Sequence, residues 1–355
     1  MCRALLLVIF SLSISCTPGD IRGQSTTESP AVTVGFWNVE NLFDTDDDPD
    51  NPGDDEFLPD REWTEERYRR KLAHLAEVVA ALDANALGLA EVENQRVLED
   101  LLATPALRSH GYRIVHRDSP DKRGIDLALI YRAPFELASG DDAIRLHPIP
   151  LDPPTRGILE VRLTAGGHDL IVLVNHWPSR WGGQEKSAPK RKKAADVCRR
   201  ITLAREDAAR QENRTASVVI VGDFNDDPFD PSVRRTLKAV RNRHAVLQNR
   251  NHRYFFNPCW RFFAEPETGT LYYNRDWVWN IFDQIIVTRG LLVEEGFSLD
   301  EKSLHIYATD AMRDHYRRPK RFRKDRRSQK WIEGYSDHFP IVASLRYEPA
   351  EKTGD

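Results

Sequence analysis

Short apolar runs of strand length alternate with polar clusters along this chain, and two longer stretches repeat at helical spacing. Val32-Thr33-Val34-Gly35-Phe36-Trp37 predicts a first strand that ends on Asn38-Val39-Glu40-Asn41. Trp63 to Ala84 predicts a helix: Tyr68, Leu72, Leu75, Ala76, Val79 and Leu82 share one face, and Thr64-Glu65-Glu66 supplies a capped, acidic first turn. A buried strand follows at Ala86 to Ala90, ending on Glu91-Val92-Glu93-Asn94. Further strands are predicted at 112–115, 126–131, 159–163 and 170–174, the last ending on Asn175-His176-Trp177-Pro178-Ser179-Arg180. Ala188 to Ala209 predicts a basic amphipathic helix.

That helix returns the chain to Val218-Val219-Ile220-Val221, four β-branched residues that predict a buried strand, followed by Gly222-Asp223-Phe224-Asn225-Asp226-Asp227-Pro228. Gly222 is expected to free the backbone to turn, so that Asp223 and Asn225 emerge together, a carboxylate and a carboxamide suited to a hard cation or a phosphate. Asp283 to Val287 and Ser336 to Val342 complete the set. The recurrent unit is a strand with polar residues at its carboxyl end. In one sheet, or two packed sheets, such ends gather along one rim, where sites of mixed α/β folds form. Residues 31–347 contain no Pro/Gly-rich linker and no repeat, which predicts one α/β domain.

Composition narrows the class. The 355 residues carry a formal net charge of -4 and 40% hydrophobic residues, ample core material for a globular domain. Residues 1–16 place one cation, Arg3, before a short apolar run closed by small residues, the layout of an export signal. Leu12-Ser13-Ile14-Ser15-Cys16 resembles a bacterial lipobox, although Ser13 stands where a larger aliphatic residue is usual, so plain secretion stays open. Residues 17–30 read as a tether, and no later stretch is apolar enough for a membrane span. Cys198 and Cys259 are the cysteines beyond the leader and are expected to be buried and unpaired. The absence of Cys-x-x-Cys and His-x-x-x-His argues against a thiolate or zinc site.

Three compositional segments stand out. Residues 44–56 are strongly acidic; Asp44, Asp46 and Asp48 alternate as in a calcium loop, but Pro49 occupies the place of the loop glycine, so a solvated acidic loop is expected. Residues 254–282 hold eleven aromatics, which either wall a core or stack on bases or sugars. Between Arg313 and Lys330 ten Lys/Arg face two Asp, a local charge of +8, which fits a polyanion partner or a disordered solvated insert.

Taken together, Trp37-Asn38-Val39-Glu40, Leu89-Ala90-Glu91-Val92, Asn175-His176, Gly222-Asp223-Phe224-Asn225, Asp283-Gln284-Ile285 and Ser336-Asp337-His338-Phe339-Pro340 resemble, in this order, the endonuclease/exonuclease/phosphatase superfamily. The resemblance covers most of residues 31–347. Asn38 to Asp44 and His176 to Arg180 look most like a bacterial branch of secreted or lipoprotein members. It implies a DNase I-like fold, a four-layer α/β sandwich of two mixed sheets face to face. It also implies a monomeric, exported phosphoesterase dependent on Mg²⁺ or Mn²⁺, with Ca²⁺ a further possibility. Glu91 becomes the principal metal ligand, with Asn38, Glu40 and Asp337, a hard oxygen set. Asp223 and Asn225 hold the attacking water and a phosphoryl oxygen. His338, oriented by Asp283, faces the phosphate, and His176 serves as general acid or phosphate ligand. Asn175, Arg180, Arg123 and Asp126 are candidate substrate contacts. Two departures are that Ala90 replaces the glutamine usual before the metal glutamate, and that the basic insert is not a standard feature. A nucleic-acid phosphodiester is the favoured substrate; a phospholipid, sphingomyelin-like or sugar phosphate ester is the alternative. A non-catalytic surface-binding lipoprotein has no need of two histidines and a metal cage.

Overall fold

The four β-branched residues of Val218–Asp223 sort by parity: Val219 and Val221 face the other sheet, whereas Val218 and Ile220 face a helix. A strand buried on both faces must lie between two layers, and the whole molecule follows from that. The computed structural model describes residues 30–348 except 50, 275 and 326. The leader, nearly all of the tether and the tail after 348 therefore lie outside the described residues.

Ten strands and three helices carry the architecture. They are β1 (Ala31–Leu42), α1 (Glu65–Leu82), β2 (Ala86–Val92), α2 (Gln95–Ala103), β3 (Arg113–Arg117), β4 (Asp126–Tyr131), β5 (Ile158–Ala165), β6 (His168–His176), α3 (Gln184–Gln211), β7 (Val218–Asp223), β8 (Asp283–Val287), β9 (Phe297–Ile306) and β10 (Ile341–Tyr347). One sheet has the order β9-β10-β1-β2-β4-β3; the other is built on β8-β7-β6-β5 with short strands at both edges. Phe36, Ala90, Leu129, Val161, Val174, Val221 and Ile285 fill the space between the sheets. Leu72, Leu75 and Leu98 of α1 and α2 cover the outer face of the first sheet over Leu87, Leu89 and Ile130. Ala194, Cys198 and Ile201 of α3 cover the second over Leu173 and Ile220. This is the expected four-layer sandwich of mixed sheets, and each fully buried aliphatic side chain contributes about 1.5–3 kcal/mol to it. At Gly88 the sheets approach so closely that a Cβ would meet Val174 and Val221 at 3.1 Å.

Several expectations are corrected. The first strand continues to Leu42, with a register shift between Asn38 and Leu42, so Asn38 and Glu40 lie within a bulged strand. Gly222 is inside β7 and does not turn the chain; a Cβ there would come 2.3 Å from the Asn175 carbonyl oxygen, and the turn occurs at Asn225, φ 49°. Residues 336–340 form the loop entering β10 instead of part of a strand. Helix α2, capped by the Asn94 side chain accepting from the Val97 amide, and the polar edge strand β9 were not legible as periodic runs. Cys198 and Cys259 are free and buried. The aromatic segment divides: Phe255, Phe256, Phe262 and Phe282 are core, while Phe263 and Trp277 are exposed. In the basic insert Phe322–Lys324 pairs as a hairpin with Trp331–Glu333, which is clasped to α1 by Arg67 and Arg70 on Glu333.

Candidate active site

Strand direction builds the rim. Strands β1 and β2 are parallel, as are β6 and β7, so Asn38, Glu91, His176 and Asp223 lie at carboxyl ends on one side. Strand β8 is antiparallel to β7 and β10 to β1, so Asp283 and the loop carrying Asp337 and His338 reach that side from amino ends. The rule of carboxyl ends alone accounts for only part of the site. Pairing sets Asp223 directly opposite Asp283 on one flank and His176 on the other. The 336–338 loop is clipped to β1: Ser336 Oγ donates to the Asn38 carbonyl at 2.6 Å and Trp37 Nε1 to the His338 carbonyl at 3.0 Å. Glu40, Asn41, Glu91 and Asn225 all adopt positive φ, a concentration of backbone strain that marks sites held in shape by their surroundings.

Asp223 is the centre. Its Oδ2 lies 3.6 Å from His176 Nε2, 3.7 Å from His338 Nε2 and 3.2 Å from Asn38 Nδ2. Glu91 Oε1 is 3.8 Å from His176 Nε2 and 3.4 Å from Asn38 Nδ2, while its Oε2 accepts from the Asn41 amide at 3.1 Å. His338 Nδ1 meets Asp283 Oδ2 at 2.7 Å, and Asp337 Oδ1 is 4.0 Å from its Nε2. Asn225 donates through its amide to Asp223 Oδ1 at 2.9 Å, and through Nδ2 to the Trp177 carbonyl at 3.0 Å.

The electrostatics separate the two histidines. Burial lowers the basicity of His338, but Asp283 and Asp223 outweigh it and hold the imidazole well above its ordinary value. His176 is lowered well below its ordinary value by burial first, then by Arg156, Arg123 and His338. Burial beside Asp283 pushes Asp223 up to about 7, against the pull of His338. One imidazole is therefore a cation and one is neutral near pH 7, with a weakly acidic carboxyl group between them. His176 Nδ1 and Asp283 Oδ1 are buried without a hydrogen-bond partner.

Other expected contacts take different places. Arg180 is buried; it donates to the Asn225 carbonyl at 2.8 Å and reaches Asp226, Asp227 and Asp230, the last at 2.6 Å. It braces the 223–230 loop from behind. Asn175 is fully buried, its Nδ2 donating to the Leu173 and Val221 carbonyls and its Oδ1 accepting from Trp177 Nε1, so it serves the fold. Asp126 is spent on His116 at 3.1 Å and the Ser119 amide at 2.9 Å. Glu40 turns toward the insert: Arg321 Nε holds Oε1, and the Phe322 amide donates to Oε2 at 2.8 Å. Arg123 stays at the rim, half exposed, 2.7 Å from Asn41 Oδ1 and 3.8 Å from Glu91.

Two functional residues escaped the sequence reading. Arg321 also pairs with Asp337 at 2.7 Å, so a residue of the insert steadies the segment bearing His338. Lys71, fully buried in α1, donates to the carbonyls of Val39, Glu40 and Tyr335 and ties β1 to that segment; burial lowers it to about 8. In sequence Lys71 is one polar position among many on a helix, and nothing local marks it. Glu91, Asp223 and Asp337 supply hard oxygen donors at this rim, each beside a cation or imidazole, Arg123, His176 or Arg321, and these donor types suit a divalent cation of the Mg²⁺ or Mn²⁺ type. Asp223, Asp283 and His338 offer ligand atoms within 4.8 Å of one another.

A mixed two-sheet sandwich with an acid–base set and a hard-oxygen cage at one rim defines a hydrolase of phosphate ester bonds. The chain belongs to the endonuclease/exonuclease/phosphatase family, whose model matches residues 33–347. Among solved structures, a humanised D. rerio TDP2 carrying 14 mutations superposes with a TM-score of 0.56 at 13% identity, covering 89% of this chain and 99% of that one. The Bacteroides thetaiotaomicron mannosyl-6-phosphatase gives 0.54 at 16% identity, with 89% and 100% covered. The human Nocturnin catalytic domain gives 0.52 at 14% identity, with 90% and 95% covered. No curated protein matches the chain in sequence.

Proposed function

We propose that the protein is an exported, metal-assisted phosphodiesterase that cuts a nucleic-acid strand. The observation that carries the reading is the geometry: Asp223 Oδ2 lies between His176 Nε2 at 3.6 Å and His338 Nε2 at 3.7 Å, with Glu91 Oε1 3.8 Å from His176. Glu91 and Asp337 would hold Mg²⁺ or Mn²⁺, which when bound neutralises charge on the phosphoryl oxygens, while Asn38, whose Oδ1 accepts from the Glu40 amide, steadies Glu91 and Asp223 through its Nδ2. Asp223, raised toward neutrality, accepts the proton of the attacking water while Asn225 orients it. As the water oxygen bonds to phosphorus and the bond to the leaving oxygen breaks, cationic His338, fixed by Asp283, gives its proton to that leaving oxygen, and neutral His176 hydrogen-bonds a phosphoryl oxygen that stays on phosphorus. This assigns the positive charge to His338 instead of a general-acid role to His176. Arg123 at the rim adds a further phosphate contact.

The nucleic-acid substrate is supported by the similarity to D. rerio TDP2, which was solved with a single-strand DNA product. Export rests on the leader at 1–16, with Cys16 the point of lipid attachment if the lipobox is used, and the protein is proposed to act as a monomer. A second reading, a sugar or lipid phosphate ester, is favoured by one observation: Arg317, Arg318, Arg321 and Lys324 of the insert are engaged by Asp310, Asp314, Glu40 and Glu62, which lowers its reserve of charge for a polyanion. The test assays residues 17–355 with Mg²⁺, Mn²⁺, Ca²⁺ or chelator on plasmid DNA, RNA, a generic phosphodiester and a phosphomonoester, beside His338→Ala. Metal-dependent cutting of nucleic acid that falls steeply with salt and is lost in the variant supports the first reading. Turnover of small esters alone, insensitive to salt, supports the second. No turnover of any substrate refutes both.

A further inference from the structure

The acidic segment at 44–56 bounds a cavity of about 830 Å³ lined by Asp44, Asp46, Asp47, Asp48, Glu93 and Asp121 among others. The alternating aspartates of the sequence are mostly spent within the fold. Asp44 Oδ1 accepts from the Asp46 amide at 2.8 Å and its Oδ2 from Asn94, and Asp46 pairs with Arg96. A different trio remains: carboxylate oxygens of Asp47, Asp54 and Asp55 lie within 4.8 Å of one another. Asp54 is 2% exposed; its Oδ2 accepts from the Asp48 amide at 2.9 Å, and its Oδ1 is buried with no hydrogen-bond donor. A buried carboxyl group with one oxygen lacking a donor, in a trio whose ligand oxygens lie within 4.8 Å, leaves repulsion and lost hydration uncompensated unless a proton or a cation is taken up there.

We propose that Asp47, Asp54 and Asp55 hold a calcium ion at a site built from residues other than Glu91 and the catalytic set. The donors are all carboxylate oxygens carried on one short loop, with no histidine or cysteine among them. An irregular, oxygen-only cage completed by carbonyls or water suits Ca²⁺ better than Mg²⁺, which demands near-ideal octahedral geometry. The ion has a structural consequence. Residues 51–53 rest on the 121–124 turn so tightly that a Cβ at Gly53 would lie 2.2 Å from the Arg123 carbonyl oxygen and one at Gly124 1.9 Å from Asn51 Nδ2. A cation that fixes Asp54 therefore fixes the turn that carries Arg123 to Asn41 and Glu91.

Calorimetric titration of the full-length Glu91→Gln variant with CaCl₂ tests this, because that background removes the principal ligand of the other site. The expected result is one Ca²⁺ per chain, with affinity at least ~10-fold weaker in Glu91→Gln/Asp47→Asn and Glu91→Gln/Asp54→Asn. Ca²⁺ should raise the melting temperature of the Glu91→Gln protein and not that of either double variant. Asp47 is exposed, so its variant decides the matter if Asp54→Asn fails to fold. No Ca²⁺ binding by Glu91→Gln, or undiminished binding in a folded double variant, overturns the proposal.

Discussion

Asp283→Asn isolates the electrostatics of the site from its shape. The substitution keeps the size of a fully buried side chain and can still hydrogen-bond His338, but it removes the charge 2.7 Å from His338 Nδ1. Two unit charges about 4 Å apart at an effective dielectric of about 20 interact by about 4 kcal/mol, and 1.36 kcal/mol corresponds to one pH unit. Asp223 at 3.7 Å and Asp337 at 4.0 Å remain to support the imidazolium. The basicity of His338 should therefore fall by about 1–3 pH units without returning to that of a lone buried imidazole. Nuclear magnetic resonance titration of the His338 ring reads this directly and needs no substrate. The basic limb of the rate profile should fall with it, and turnover by roughly 10²–10⁴, as for other imidazoles deprived of an orienting carboxylate. An unchanged titration of His338 in Asp283→Asn would refute the assignment of its charge to that pair.

Asp223→Ala and His338→Ala should each abolish turnover while leaving circular dichroism and the melting transition near wild type; full activity in both would dismiss the site. Arg180→Ala should behave as a structural variant: it removes the guanidinium shared by Asp226, Asp227 and Asp230, leaving Arg191 at 2.8 Å from Asp226 as their remaining cation, and denaturant unfolding should show a loss of about 3 kcal/mol. Glu93, buried beside Asp44, Asp54 and Asp48, is raised to about 8 from 4.5. The folded state then binds more protons than the unfolded one between those values, so ionising Glu93 removes stability as pH rises from about 4.5 to 8. In chelator, Glu93→Gln should be more stable than wild type at pH 8 by on the order of 2 kcal/mol, with the advantage shrinking toward pH 5.

The sequence by itself determined the central buried strands and the chemistry near their ends, but not the polar edge strand β9 or the extent of β1. Runs such as 218–221 and 86–90 must be buried on both faces, which already demands layers, and the polar residues following Trp37, Ala90, Val174 and Gly222 mark where those strands surface. The candidates Glu91, His176, Asp223, Asp283 and His338 are legible because each sits beside a strand whose period is unambiguous. Strand direction was not legible: only sheet pairing shows that Asp283 and His338 arrive from amino ends, because a period of two is the same read in either direction. Nor could residue type tell a substrate-facing side chain from one used inward. Arg180, Asn175, Asp126 and Glu40 have the right chemistry, yet each is engaged by at least one partner 10 to 282 residues away in the chain. The same distance hides Arg321 and Lys71, whose roles consist of contacts with segments remote in sequence. Local pattern fixes which residues reach a surface; the tertiary structure decides which of them are left free there, because that depends on every neighbour that competes for their hydrogen bonds and charge.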